Sequence, residues 1–323
     1  MHWIRNNWFL IILLIALFTG YHGAERLRIL TDYRWLTWVI VALTMFAMAW
    51  PVEFGQIRKS VSKPLSPLLA SVLNVIAIPI IVWPLALWVG GEMGMGMLIA
   101  AAAPSTLASA AVWTRRAGGD DSVPMIVTII TNGTCFLVMP FWIYIQSGQS
   151  VEAEILTRTV LNLLFFVVLP IVVAQVLRLN RRSAAWATQN KLTLSVVAMI
   201  GILTMVLIGA VSMGLRMQEQ TVPTSWSLLI LVAVLMGTVH IAVFWGGMWL
   251  ARLLGRQRPQ QIAVGFAASQ KTLMTGLSVC ISLGVSIVPI VLYHSIQLIV
   301  DTAFADHLRY QSELRAPGES SSV

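Results

Sequence analysis

Within GFAASQKTLMTGLSV, residues 265–279, Lys271 is the only Asp, Glu, Lys or Arg between Arg258 and Asp301. Ser269, Gln270, Thr272 and Thr275 surround it with small polar groups, and Gly265 and Gly276 bracket the set. An ammonium in such a stretch has three kinds of chemistry open to it. It can hold an anionic substrate, stand in the place of a bound cation, or act as base to a serine nucleophile. The last needs Ser269 and Lys271 to meet, and residues two apart do not face each other on a helix unless the segment is broken. No second motif supplies an oxyanion hole, so an intramembrane serine hydrolase is the least supported of the three.

A second segment, MLIAAAAPSTLASAAVW at residues 97–113, carries a different defect. Pro104 has no N–H to continue a helix and clashes with the turn before it, which frees carbonyls near Ala100. Ser105, Thr106 and Ser109 follow and offer hydroxyls to those groups or to an ion. Taken alone, the segment also fits a proline kink patched by its own hydroxyls. Elsewhere Asn74 precedes IAIP, and Thr128, Thr131, Asn132 and Thr134 share another apolar stretch. One such group in a membrane helix is ordinarily packing glue, worth about 0.6 kcal/mol. Several that converge make a site. His240 reads as a hydrogen-bonded structural histidine. Cys135 and Cys280 have neither metal-ligand spacing nor a neighbouring cysteine, and read as small core residues.

All these residues lie in apolar runs. The chain of 323 residues is 58% hydrophobic and 11% charged, where a soluble domain carries roughly 25% charged residues. No charged, patterned stretch longer than a loop remains to build a soluble domain, so the lipid bilayer is the medium of nearly the whole molecule. The net charge of +8 invites a nucleic-acid reading. The basic residues fall in short loops and form no long run, which makes them topology signals and leaves nucleic acid off the expected partners. The first run, WFLIILLIALF, follows Arg5 and has a poor small-residue cleavage site, so it reads as an uncleaved first helix. Residues 1–311 form one membrane unit, and 312–323 (SELRAPGESSSV) a polar tail read as disordered.

Since a bilayer core takes roughly 20 residues of helix, the apolar runs predict ten spans, at 7–22, 35–54, 65–89, 94–113, 123–146, 157–178, 191–214, 226–253, 261–282 and 286–307. The fourth and ninth are the most interrupted by Pro, Gly and Ser. With the N-terminus cytoplasmic, the inner side receives 15 Lys and Arg and the outer side 5, with Lys271 set apart. That bias predicts two cytoplasmic termini, in the plasma (inner) membrane of a bacterial-type cell. Five spans per half means that the halves insert in opposite orientations, as inverted repeats do, and the two broken spans then hold matching places. The expected fold is an all-α integral membrane protein of ten transmembrane helices in two inverted five-helix repeats. Lys271 sits about ten residues, or about 15 Å, from the nearer end of its span, too deep to reach the headgroups comfortably. An interior position is expected.

At AAAPSTLASAAVW with the following TRRAGGDDSVP, and at GFAASQKTLMTGLSV with its SQKT, the chain resembles the bile acid:sodium symporter family, in particular its bacterial SBF-like branch. The resemblance runs over nearly all ten spans, and Asn74 ahead of IAIP fits the third helix. It implies a panel and a core domain, with the fourth and ninth helices unwound and crossing in the core, sodium behind the crossing and substrate in the cleft between the domains. Carried over by position, Asn74, Ser109 and Gln270 match ion ligands on the third, fourth and ninth helices. Two matched positions depart from the pattern: Phe266 stands where an acidic ligand is found, and Ala110 where an asparagine is found.

These departures focus attention on Lys271. A fixed ammonium can play the electrostatic part of a bound cation, holding the carbonyl ends of broken helices together. The reading is a secondary transporter of a small organic anion, such as a bile acid or steroid conjugate or a small carboxylate. It takes no cofactor, and its coupling is to Na+, to H+ or to neither. The runner-up is a cation/proton antiporter, which needs a carboxylate at mid-membrane, whereas Glu53, Glu92, Asp120, Asp301 and Asp306 are expected towards span ends. The candidate site comprises Asn74, Pro104, Ser105, Thr106, Ser109, Thr131, Asn132, Ser269, Gln270, Lys271, Thr272 and Thr275. The sequence leaves substrate and oligomeric state open.

Overall fold

The computed structural model describes residues 2–53, 64–107, 109–148, 152–218 and 225–314. Among them every regular element is helical. Besides two short helices, Ile29–Asp32 and Arg181–Gln189, these are, in chain order, α1 (His2–His22), α2 (Arg34–Ala49), α3 (Leu65–Val89), α4a (Gly91–Ala102), α4b (Ser109–Arg116), α5 (Ser122–Ser147), α6 (Ala153–Leu177), α7 (Lys191–Gln218), α8 (Trp226–Leu253), α9a (Arg258–Ser269), α9b (Leu273–Leu283) and α10 (Val288–Leu314). Of these, α3, α5, α6, α7, α8 and α10 are long and apolar enough to cross a membrane, and α1, α2 and α4a carry shorter apolar stretches. Leu14, Phe18, Leu43, Leu137, Phe141 and Phe165 are exposed on the outside of the bundle. In water that surface would be costly, whereas in a bilayer lipid covers it. The molecule is an all-α integral membrane protein.

Most helix limits fall within a few residues of the hydrophobic runs. α2 is shorter than expected and ends at Ala49, two residues before Pro51, whose ring disfavours helix in the residue ahead of it. A nine-residue surface helix, Arg181–Gln189, occupies what reads from sequence as a loop. Asn180 caps it by accepting from the N–H groups of Arg182 and Ser183, and Trp186 packs against Trp50 with ring centroids 4.8 Å apart. α10 continues to Leu314, into the segment read as a tail. Arg58, Lys59 and Lys63 of the charge count, and the tail from 315 onwards, lie outside the described residues.

The helices sort by packing into two groups. α7 packs on α1 and α2, and α6 packs on α2. In the second group, α3, α4a, α5, α8, α9a and α10 pack on one another. The groups meet chiefly where α9b touches α7, α2 and α6, and where α5 touches α6. The two interrupted helices lie deepest: residues 96–107 and 261–280 are all buried. Each is also bounded at both ends by a glycine in the left-handed region. These are Gly90 (φ 70°) and Gly118 (φ 76°) for α4, and Gly255 (φ 70°) and Gly284 (φ 66°) for α9. A residue with a Cβ is strained there, so these glycines fix where each broken helix begins and ends.

Candidate functional site

The two interruptions face each other. At the first, Pro104 breaks the hydrogen-bond ladder and the chain runs extended from Ala103 before α4b starts. At the second, Gln270 and Thr272 are extended, although residues 270–272 contain neither Pro nor Gly. The backbone N–H of Thr272 donates to the Pro104 carbonyl at 2.8 Å, so the two chains touch at their breaks. The second break is held open by side chains from elsewhere. Gln297 on α10 accepts from the Lys271 N–H at 3.0 Å and donates to the Lys271 carbonyl at 3.1 Å, as a paired strand would. Asn74 on α3 donates from Nδ2 to the carbonyls of Ala267, Ala268 and Gln270 at 3.3, 2.9 and 2.9 Å, capping the end of α9a.

Lys271 does not snorkel. It is fully buried, and its Nζ donates to the Asn74 carbonyl at 2.6 Å, to Asn74 Oδ1 at 3.1 Å and to the Ala103 carbonyl at 2.9 Å. The Asn74 carbonyl is available for a local reason. Over Leu73–Ala77 the helix widens to a π turn, the N–H of Ile78 goes to Leu73, and the next donor position is Pro79, which has no N–H. Ala103 is the residue that closes α4a. The ammonium therefore ties the C-terminal end of one broken helix to the widened turn of α3. Its insertion cost is about 2.5–3.5 kcal/mol, and three charge-assisted hydrogen bonds at about 1.5–3 kcal/mol each exceed that. All three ammonium hydrogens have acceptors, which leaves none for a substrate anion in this arrangement.

Beside Lys271 a second polar chain crosses the core. Gln270 Oε1 lies 2.8 Å from Thr106 Oγ1 and 2.9 Å from Ser109 Oγ, while its Nε2 donates to Asp301 Oδ2 at 2.7 Å. Asp301 Oδ1 in turn sits 3.0 Å from His240 Nε2, and His240 Nδ1 is 3.3 Å from the Ser269 carbonyl, which also accepts from Tyr293 OH at 2.6 Å. Both ring nitrogens of His240 therefore lie within hydrogen-bond reach of protein oxygens. Asp301, expected near a span end, is fully buried at the crossing. α10 extends past the predicted 307 to Leu314, which leaves Asp301 well inside the helix.

The residues expected at the site all lie near the crossing, buried except for the half-buried Ser109, but they do not all serve it in the same way. Ser105 donates from Oγ to the Ala267 carbonyl at 3.2 Å and from its N–H to Thr131 Oγ1 at 3.1 Å, and Asn132 donates to the Ser105 carbonyl at 2.9 Å. Thr128 donates to the Thr106 carbonyl at 2.7 Å, and Thr106 Oγ1 accepts from the Ala110 N–H, capping α4b. Thr275 Oγ1 and Asn132 Oδ1 are buried with no hydrogen-bond partner among the described residues. Thr134 bonds back to the Ile130 carbonyl of its own helix. Ser269 Oγ donates to the Gly265 carbonyl at 3.0 Å, while the Lys271 ammonium is engaged with Asn74 and Ala103. These two residues do not form a nucleophile and base pair.

Of the oxygens that the resemblance assigns to an ion, those of Asn74 and Gln270 are already taken by protein donors, while Ser109 Oγ is itself a donor to Thr106 and Gln270. Asn74 Oδ1 faces Lys271, and Gln270 Oε1 faces two hydroxyls. Phe266 brings no oxygen and packs on Phe244 with ring centroids 4.8 Å apart. A model of the SBF-like CPA transporter family matches residues 7–310. The chain belongs to that family. The resemblance carried by SQKT and APST holds over nearly its full length. The chain is similar to the uncharacterized protein PA2026 of Pseudomonas aeruginosa, 24% identical over 220 residues, which are 66% of this chain and 65% of that protein. The aligned region thus spans less than two thirds of that curated relative. Gln297, Tyr293, His240 and Asp301 complete the polar core of this family member, and sequence reasoning does not assign them to it.

Proposed function

We propose that the protein is a secondary transporter of an organic anion, a steroid-type conjugate or small carboxylate, in which the Lys271 ammonium stands where a coupling cation would otherwise bind. The observation that carries this reading is the coordination of Nζ by three oxygens at 2.6–3.1 Å, two of them backbone carbonyls, between the end of broken helix α4a and the widened turn of α3. Carbonyl ends of broken helices are the ligand type that inverted-repeat transporters offer to a monovalent cation. With the fixed charge already present, sodium is not required to assemble the crossing.

The proposed architecture is ten spans in two inverted repeats, with the α1, α2, α6 and α7 group as panel and the rest as core. It moves by alternating access in the inner membrane, with both termini in the cytoplasm. The packing supports the repeat. α1 with α7 corresponds to α6 with α2, α3 with α4a to α8 with α9a, α3 with α5 to α8 with α10, and α4a with α10 to α9a with α5. The glycine pairs that bound α4 and α9 follow the same exchange.

A second reading, cation/proton antiport, is favoured by one specific observation. Asp301 and His240 form a buried carboxylate and imidazole pair bonded to Gln270, which supplies the mid-membrane acid that such chemistry needs. Proteoliposomes separate the two. Uptake of a labelled anion, unaffected by an imposed sodium gradient and lost in Lys271→Ala, is the result expected for anion transport. Proton efflux on adding sodium or potassium without any anion would instead establish antiport.

A further inference from the structure

The two broken helices are joined to each other at both ends, by different means. Where α4b finishes and α9a begins, the N–H of Asp120 donates to the Pro259 carbonyl at 3.0 Å, and Gly119 lies against Ile262. Both contacts stay within the second group of helices. At the opposite end, where α4a begins and α9b finishes, a side chain from the first group makes the tie. Arg216, in the last turn of α7, donates from Nη1 to Glu92 Oε2 at 2.6 Å and to the Gly284 carbonyl, and from Nη2 to the Val285 carbonyl at 3.3 Å. Glu92 opens α4a, and Gly284 and Val285 follow α9b.

One guanidinium therefore spans α7 and the outer ends of both broken helices. The planar fork of arginine suits this task because its donors reach several acceptors at once, which an ammonium on a flexible stem does less well. The acceptors are presented by turns that hold their shape. Gly90 and Gly91, at φ 70° and 57°, precede Glu92, and Gly284 itself is at φ 66°. The side chains of Arg216 and Glu92 are 21% and 34% exposed. Water can take over these bonds when they part, so breaking them does not strand a buried charge. The same end is where α9b packs on α7, with Gly209 against Ile281 and Ile287.

We infer that Arg216 is a releasable clasp between the two groups of helices: it holds them together at this end in one state and lets go when they part there. The inference rests on the proposed reading of the groups as units that move, and it adds the contact that governs one of their two positions. A passive ion pair would not link both broken helices to the other group at one end while their opposite ends are joined within a single group.

The test is the rate at which a membrane-impermeant thiol reagent labels the Ile281→Cys variant, in purified protein whose Cys135 and Cys280 are replaced by alanine. Ile281 is half-buried, with its side chain against Gly209 of α7. Arg216→Gln and Glu92→Gln are each expected to raise the rate several-fold. In a parallel protein the reporter is Leu254→Cys, exposed at the other end, and its rate is expected to stay the same. Unchanged labelling of the Ile281→Cys reporter on both substitutions overturns the clasp. So does an equal rise at both reporters, which marks general loosening. If Arg216→Gln does not fold, Glu92→Gln carries the test, since it keeps the size of the side chain. No substrate enters the measurement, so a negative result here leaves the Lys271 reading standing, and failure of that reading leaves this result standing.

Discussion

Lys271 Nζ lies 2.9 Å from the carbonyl oxygen of Ala103, a contact that bridges 168 residues of sequence and joins the two interruptions of the core. It satisfies the carbonyl that closes α4a, while the second interruption, at residues 270–272, has neither proline nor glycine to account for it. Freed backbone groups in a membrane must be satisfied internally. Around residues 270–272 Asn74, Gln297 and Tyr293 do this, together with the Pro104 carbonyl that accepts from the Thr272 N–H.

Gln297 is the simplest place to test that account. Gln297→Leu keeps the volume but leaves the Lys271 N–H and carbonyl buried without partners. At about 1–3 kcal/mol for each orphaned group, a clear fall in unfolding midpoint is expected in detergent. Gln297→Glu keeps the acceptor and loses the donor, and its midpoint should lie between the two. An unchanged midpoint in Gln297→Leu means that the break does not depend on α10.

His240 and Asp301 should behave as a unit. Asp301→Asn keeps the shape but removes the charge that His240 faces, and His240→Phe removes the partner. Each single change is expected to cost about 3 kcal/mol or more, the range for breaking a buried pair from one side. The double variant should then lose less than the sum, by about 0.5–3 kcal/mol in a double-mutant cycle. Strict additivity would show that the two side chains act separately.

Close helix packing supplies a third prediction. A Cβ at Gly94 would run into the backbone carbonyl of Ala86, and backbone cannot step aside. Gly94→Ala should therefore destabilise by about 1–3 kcal/mol. A Cβ at Gly246 on α8 meets nothing within 4 Å among the described residues, and Gly246→Ala should be neutral or gain up to about 1 kcal/mol. Comparing the two midpoints checks whether α3 and α4a approach as closely as described.

How far the sequence can be read varies by element, for physical reasons. The π turn and free carbonyl at Asn74, and the break after Ala103, follow from Pro79 and Pro104, and proline leaves a local mark. Lys271 announces itself because a lone charge in an apolar run needs a partner. The ninth-helix break leaves no such mark beyond a cluster of polar residues, since tertiary hydrogen bonds hold it open. Asp301 is misplaced by sequence reasoning because α10 runs beyond its apolar run, so distance from the predicted end underestimates its depth. Gln297 and Tyr293 resemble any polar residue on a membrane helix until the fold turns them towards the break. The surface helix Arg181–Gln189 escapes a search for apolar runs because it is short and polar, although Asn180 carries a cap signal.

The central claim is that the Lys271 ammonium takes the place of a cation. It is tested most directly by thermal unfolding of detergent-purified protein in sodium and in potassium at equal ionic strength, for the parent and for Lys271→Gln. A ligand that binds only the folded state raises stability by RT ln(1 + [L]/Kd), so an ion site appears as a concentration-dependent upward shift. The account predicts no sodium-specific shift in the parent, a lower midpoint in Lys271→Gln, and partial recovery of that variant by sodium. A sodium-specific shift in the parent that is unchanged in the variant would contradict it, because an ion would then bind independently of the lysine.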